Sequence, residues 1–312
     1  MHLIDAAELA ERLPYGALVD ALERAFRNGA EVPVRTHYSV DARGQARATL
    51  LLMPAWRAGG SLGVKIATVF PDNAKKGLGA VHASYLLMDG DTGAPLALMD
   101  GSELTLRRTA CASALASRCL SREDSKTLLM VGTGRLAPHL VRAHSTVRGL
   151  ERILLWGRRP AAAHELAEAL QPIAAEIAVV TNLERGVGEA DIVSCATLAS
   201  TPLVRGAWLL PGQHVDLVGA FTPAMREADG EALRRARVAV DTYAGGLEEA
   251  GDILLAIDDG LIGRDHVLAE LAELVRGDKV LRRNSSDITL FKSVGTALED
   301  LAAAELVLAR SN

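Results

Sequence analysis

The feature that most constrains this chain is a glycine loop placed where a strand pattern gives way to a helix pattern. In TLLMVGTGRLAPHL (127–140), Gly132, Gly134 and Ala137 form G-x-G-x-x-A directly after an apolar run and at the start of a helical segment. The first glycine permits a tight turn, the second lets backbone approach a pyrophosphate, and the alanine keeps the helix close to the sheet. Helix N-terminal amides then complete an anion site. Pro138 agrees with this reading, because the first helical turn makes no use of the missing N–H. Such a loop needs a parallel βαβ frame. Apolar runs at 127–131, 153–156, 177–180, 191–195, 214–218 and 237–240 supply one, alternating with helical or loop segments. Continuous apolarity in short runs suits strands covered by helices on both faces.

The first part of the chain reads differently. Leu18, Leu22, Ala25 and Phe26, following Pro14, predict an amphipathic helix that stops near Gly29. Short β-like runs at 48–53, 63–70 and 83–88 are separated by Gly, Pro and Asp, which predicts a mostly antiparallel sheet. Residues 102–120 predict a helix rich in small residues, with Ser102 as its N-cap. A last helix after Gly295 aligns Ala297, Leu301, Ala304 and Leu308, and is expected to return to the first part of the chain. The expected fold class is α/β. A Rossmann dinucleotide-binding domain (121–293) is inserted into a discontinuous α+β domain (1–120 and 294–312).

Composition excludes several function classes. With 312 residues there is room for two domains. Aromatics at 4% and a net charge of −5 offer neither stacking platforms nor an excess of phosphate-neutralising charge, so no nucleic-acid partner is expected. No apolar stretch reaches the ~20 residues of a membrane span. Asp5, Glu8 and Glu11 stand where a secretory signal is basic and then apolar. A cytoplasmic location, away from membranes, is the expectation. Cys111, Cys119 and Cys195 show no CxxC spacing and are read as small buried apolar residues. The histidines form no ligand cluster, so no metal is expected. GGSLG (59–63) matches G-x-S-x-G, but a β run follows it, so it reads as a hairpin turn and not a nucleophile elbow.

After the second strand of the parallel frame, the position that carries Asp or Glu in NAD-selective folds is Gly157, followed by Arg158 and Arg159. Two guanidinium groups there suit a 2′-phosphate, so NADP(H) is the preferred cofactor and NAD(H) a possible one. The competing reading is a solvated loop. In the first part, Arg35, Lys65, the Arg107–Arg108 pair and His82 could meet a ligand. Lys65 lies within GVKIATVF, where a charge needs a partner, a cavity or an outward strand face. A carboxylate-bearing small molecule would suit the arginines.

Taken together, VPVRTHY (32–38), LLMPAW (51–56), GVKIATVFPDNAKKGLGAV (63–81), DTGAPLALMDGSELTLRRTACASALA (91–116), VGTGRLA (131–137), VGAFTPAMREAD (218–229) and ITLFKSVGTALEDLAAAELV (288–307) resemble the ornithine cyclodeaminase/mu-crystallin family. The resemblance implies a homodimer, with an amino- or imino-acid substrate lying between the domains over the nicotinamide. It implies that Arg35, Lys65 and Arg108 hold the substrate carboxylate; of these, Lys65 is the best available proton donor or relay. It assigns cofactor contacts to Thr109, Gly132, Thr133, Gly134, Arg135, Leu136, Ala137, Arg158, Arg159, Thr197, Val218 and Ser293. The chain departs from the cyclodeaminase pattern at two positions, with Phe221 where a catalytic Asp is expected and Leu51 where a Glu is expected. Both departures favour an NAD(P)H-dependent reductase of cyclic or N-alkyl imino acids, or a related amino-acid dehydrogenase. Two alternatives stay open: an ornithine cyclodeaminase using Glu227 or Asp229 as its acid, and a non-catalytic protein that binds ligand with NADP(H).

Overall fold

The computed structural model describes residues 1–42 and 46–310. The chain is α/β and divides into two compact units, Met1–Thr109 with Thr296–Asn312, and Ala110–Gly295.

The first unit begins with β1 (His2–Ile4), α1 (Ala6–Arg12) and α2 (Tyr15–Asn28). Asp5 caps α1, its carboxylate accepting N–H bonds from Ala7 at 3.0 Å and Glu8 at 2.9 Å. On α2, Leu18, Leu22, Ala25 and Phe26 are buried as one stripe, and Gly29 ends the helix at φ 75°. Strands β2 (Thr36–Val40), β3 (Ala48–Trp56), β4 (Ser61–Val69), β5 (Val81–Asp89) and β6 (Pro95–Asp100) follow. They form an antiparallel sheet in the order β6-β5-β4-β3-β2, with β1 added parallel to β6. Of GGSLG, Gly59 and Gly60 lie in the turn between β3 and β4, with Gly60 N–H donating to Arg57 O at 3.0 Å, and Ser61 to Gly63 open β4.

Helix α3 (Gly101–Leu120) carries the chain from one unit to the other, since the division falls at Thr109/Ala110 and not at 120/121. Its first turn is capped by Asp100, which accepts from Glu103 N–H at 2.7 Å. Ser102 is already helical, one turn position too late to serve as the cap. Cys111 and Cys195 are buried as expected, but Cys119 is exposed, because it falls on the outward side of α3.

The second unit runs β7 (Thr127–Val131), α4 (Ala137–Val147), β8 (Arg152–Trp156), α5 (Pro160–Ala169), β9 (Glu176–Val179), α6 (Leu183–Glu189), β10 (Ile192–Cys195), β11 (His214–Leu217), α7 (Gly230–Arg235), β12 (Arg237–Val240), α8 (Tyr243–Glu248), α9 (Gly251–Asp258), β13 (Val267–Glu270), α10 (Leu271–Arg276) and β14 (Thr289–Lys292). All of its strands are parallel, in the order β13-β12-β14-β11-β10-β7-β8-β9. β7 has β8 on one side and β10 on the other, which makes the carboxyl end of β7 the topological switch point. The sequence reading finds β7 to β12 and misses β13 and β14, each four residues long. Their apolar parts, 267–269 and 290–291, are broken off by Glu270 and Lys292, which leaves only two or three apolar residues in a row. Beneath α4, His144 lies 3.4 Å from Asp216, which also accepts from Ser194 Oγ at 2.6 Å. All three are fully buried, so this Ser–Asp–His contact ties a helix to the sheet and has no access to a substrate.

The chain then re-enters the first unit as α11 (Ala297–Ala309), started by Thr296, whose side chain accepts from Leu298 N–H. α11 packs on α2 and on the inner face of β3, β4 and β5. Its first turns are buried nearly all round, Glu299 and Asp300 included.

Candidate active site

In the first unit, sheet register and one returning helix bring four charges together. Lys65 pairs across β3 and β5 with Met53 and Tyr85, so these side chains share a face. That face is the buried one: Lys65 is 3% exposed, whereas its apolar neighbour Ile66 is 40% exposed. Simple alternation would have turned the lysine to water. Lys65 Nζ instead lies 2.8 Å from Asp300 Oδ2. Arg108, one turn after the buried Leu104 on α3, places Nε 3.0 Å from Asp300 Oδ1 and Nη1 2.5 Å from Glu299 Oε2. Two cations and two carboxylates thus form a buried set in which Asp300 touches both cations. Burial, and then the Arg108 guanidinium, draw the Lys65 ammonium down to about 8, against the opposing pull of Asp300.

The other basic residues divide. Arg35 is half-buried one residue before β2, where continuing the Thr36–Leu52 register places it beside Met53. It stands two strands from Lys65, about 10 Å at normal strand spacing. Leu51 lies on the Lys65 face, two residues from Met53. Arg107 is structural: its Nη1 donates to Leu13 O at 2.9 Å, its Nε meets Glu103 at 2.7 Å, and its guanidinium sits 4.9 Å from the Tyr15 ring centre. His82 pairs with Thr68 on the opposite sheet face, so it is not brought to Lys65. Sequence reasoning missed Glu299 and Asp300. The one available signal, two acids in a helix first turn, is what most helices carry to suit their own dipole.

In the second unit, the loop after β7 has the geometry a dinucleotide needs. Gly132 adopts φ 119°, and a Cβ there would stand 2.6 Å from Ala196 O, so only glycine fits. A Cβ on Gly134 would meet nothing within 4 Å, leaving its backbone open to a pyrophosphate. Thr133, Arg135 and Leu136 complete the loop, and Ala137 is fully buried where α4 meets the sheet. Arg158 and Arg159 are exposed just beyond β8, with Arg159 at the N-cap of α5. A Cβ on the intervening Gly157 would come 2.7 Å from Thr133 Cγ2, which disfavours an acidic side chain at that point. Thr197, Val218 and Ser293 follow the ends of β10, β11 and β14 respectively. Thr109 closes the stretch of α3 that belongs to the first unit. These loops fit a nicotinamide dinucleotide: an open glycine backbone, a helix N-terminus and three neighbouring strand ends.

The two acids considered for cyclodeaminase chemistry are both committed elsewhere. Asp229 caps α7, accepting from Ala232 N–H at 3.0 Å, and also binds Gly206 N–H at 2.8 Å. Glu227 is fully buried among backbone amides. Phe221, where the cyclodeaminases have their catalytic Asp, is 44% exposed.

Comparison with known proteins covers the whole of this arrangement. A Delta(1)-pyrroline-2-carboxylate reductase of Paracoccus denitrificans is 41% identical over 289 residues, 92% of this chain and 91% of that protein. The structure of the Thermococcus litoralis Delta(1)-pyrroline-2-carboxylate reductase with NADH and L-proline superposes with a TM-score of 0.93 at 37% identity, over 100% of this chain and 97% of the other. An archaeal alanine dehydrogenase dimer with bound NAD reaches a TM-score of 0.90 at 28% identity, over 100% of this chain and 97% of its own. The sequence profile of the ornithine cyclodeaminase/mu-crystallin family matches residues 2–312. By that match and these relatives, the chain belongs to the ornithine cyclodeaminase/mu-crystallin family.

Proposed function

We propose that the protein is an NAD(P)H-dependent reductase of imino acids, with cyclic ketimines such as Δ1-pyrroline-2-carboxylate as substrates. The observation that carries this reading is the Lys65 ammonium, buried 2.8 Å from Asp300 and drawn down to about 8, on a face shared with the apolar Leu51. Such a group can hold a carboxylate and still release a proton near neutral pH. The reductases that resemble the chain over nearly all its length support the substrate class.

Electrostatics favour the same class. Lys65, Arg108, Glu299 and Asp300 sum to zero charge and Arg35 adds one positive charge, so the full set favours a ligand that brings a carboxylate. An imino acid brings one. Arg108 and Arg35 orient the carboxylate, Lys65 is its second ligand and the proton donor or relay, and Leu51 offers an apolar wall to ring methylenes. A bound nicotinamide would supply the hydride. The balance is C=N plus hydride plus one proton giving the amine, and the protein contributes mainly position.

NADP(H) is the proposed preference, resting on Arg158 and Arg159 beyond β8 and on the crowding at Gly157. Replacing both arginines with alanine should raise the KM for NADPH about tenfold or more, because charge-assisted bonds to a 2′-phosphate are lost. The KM for NADH should stay within about twofold, since its ribose hydroxyl does not call on that charge. A wild-type protein that favours NADH in the same assay would contradict the preference. A homodimer is also proposed. Leu50, Leu52, Val64, Ile66 and Leu86 leave a partly exposed apolar sheet face opposite Lys65, a surface suited to a second copy. A cytoplasmic location, with access to a reduced nicotinamide pool, is proposed as well. No helix among the described residues is long and apolar enough to cross a membrane.

A further inference from the structure

Beneath the ends of β10, β11 and β14 lies a buried polar cluster that the proposed chemistry does not use. Glu227 Oε1 accepts from Thr197 N–H at 2.6 Å and Thr197 Oγ1 at 2.8 Å, while Oε2 accepts from Gly219 N–H at 2.6 Å and Ala220 N–H at 3.3 Å. One carboxylate therefore joins the loop after β10 to the loop after β11. The two loops are already in contact, since a Cβ on Gly219 would come 1.9 Å from Thr197 O. Glu227 is held in turn by Asp252, whose Oδ1 accepts from the backbone N–H of Glu227 at 2.7 Å and of Ala228 at 3.0 Å. Asp252 Oδ2 is 3.1 Å from Lys292 Nζ, and Lys292 is the last residue of β14.

This cluster reaches Thr197, Val218 and Ser293, the strand-end residues expected to contact the cofactor on the side of β7 away from β8, where a two-half dinucleotide fold takes the nicotinamide half. Thr197 is bonded directly, Val218 adjoins Gly219, and Ser293 adjoins Lys292. Among the described residues, the phosphate loop after β7 takes no bond from Glu227. We propose that Glu227 is the positioning residue for the nicotinamide end of the cofactor, setting the Thr197 and Val218–Gly219 loops at a fixed separation through its two oxygens. The proposal rests on the reading of the chain as an NAD(P)H-dependent reductase. Each of the four bonds to the side chain comes from a donor, so the carboxylate fits and a carboxamide does not: turning Glu227 to Gln points an NH2 at one of the two loops. Burial pushes the Glu227 carboxyl up to about 7, with Lys292 and the Thr197 bonds opposing and Asp252 adding to the rise.

The test separates the two halves of the cofactor. Calorimetry would compare NADPH with 2′-phospho-ADP-ribose, which lacks the nicotinamide, on wild type and Glu227→Gln, alongside kcat with Δ1-pyrroline-2-carboxylate. The expected result is NADPH affinity weakened about tenfold or more in the variant, from the lost and unsatisfied bonds, with kcat reduced and fragment affinity unchanged. Thr197→Val removes only the hydroxyl bond to Oε1. It should show the same pattern at smaller size, which keeps the test decisive if Glu227→Gln does not fold. Equal loss of both ligands, or no change in either, would overturn the positioning role. The same comparison is run with NADH and ADP-ribose, and a wild type that binds none of the four would overturn the dinucleotide reading itself, and this assignment with it.

Discussion

Lys65→Met is expected to lower kcat with a cyclic imino acid by about 10²–10⁴-fold, the usual contribution of a positioned proton donor. NADPH affinity should stay at the wild-type value, because Lys65 lies on β4 in the first unit and the dinucleotide loops lie in the second. The pH dependence gives an independent signature. The ammonium form is the working form in this account, and the free protein's Lys65 titrates at about 8. Wild-type kcat/KM should therefore hold below that pH and fall above it, since kcat/KM reports the free enzyme's groups. Lys65→Met should lack that alkaline limb. Unchanged turnover, or an alkaline limb that persists in the variant, would remove Lys65 from the mechanism.

Asp300→Ala is expected to be the most damaging single change to stability. It removes the carboxylate that bonds both Lys65 at 2.8 Å and Arg108 at 3.0 Å, leaving Glu299 alone beside two buried cations. Stripping one partner from a buried ionic set costs about 3–5 kcal/mol, mostly the penalty of uncompensated charge. Urea unfolding of the two proteins at pH 7 measures it, and a loss below about 1 kcal/mol, the range of an exposed pair, would contradict the buried network. Asp300→Asn keeps the shape and loses the charge. Without that anion the Lys65 ammonium is less favoured, so the alkaline limb of kcat/KM should move to lower pH. An unmoved limb would mean that Asp300 does not act on Lys65.

These expectations show which parts of the molecule are legible in the sequence. The dinucleotide loop is local: Gly132, Gly134 and Ala137 do their work within a few residues of one another, and the β7 run ahead of them is apolar on both faces. Lys65 and Arg108 are legible for a different reason, as long charged side chains in segments otherwise made for burial. What the sequence hides is their pairing. Asp300 is 192 positions from Arg108, and its place in a helix first turn gives it an ordinary local explanation. Only the return of α11 onto the sheet turns that acid into a partner for both cations. Glu227 is hidden in the same way, because its bonds go to backbone amides 30 and 8 residues away, and amides carry no mark in a sequence. The Ser102 cap and the buried Cys119 fail on a smaller scale, where a shift of one helix position decides which side chain faces the first turn or the solvent.

The most direct test of the central claim is NADPH oxidation, followed at 340 nm, with purified protein and a panel of imino acids including Δ1-pyrroline-2-carboxylate and Δ1-piperideine-2-carboxylate, with ornithine as the control. The account predicts stoichiometric loss of NADPH with at least one cyclic imine and formation of the corresponding amino acid, and no proline or ammonia from ornithine. Release of proline and ammonia from ornithine with only catalytic cofactor, or cofactor-dependent ligand binding with no loss of NADPH or NADH against any imine, would contradict it.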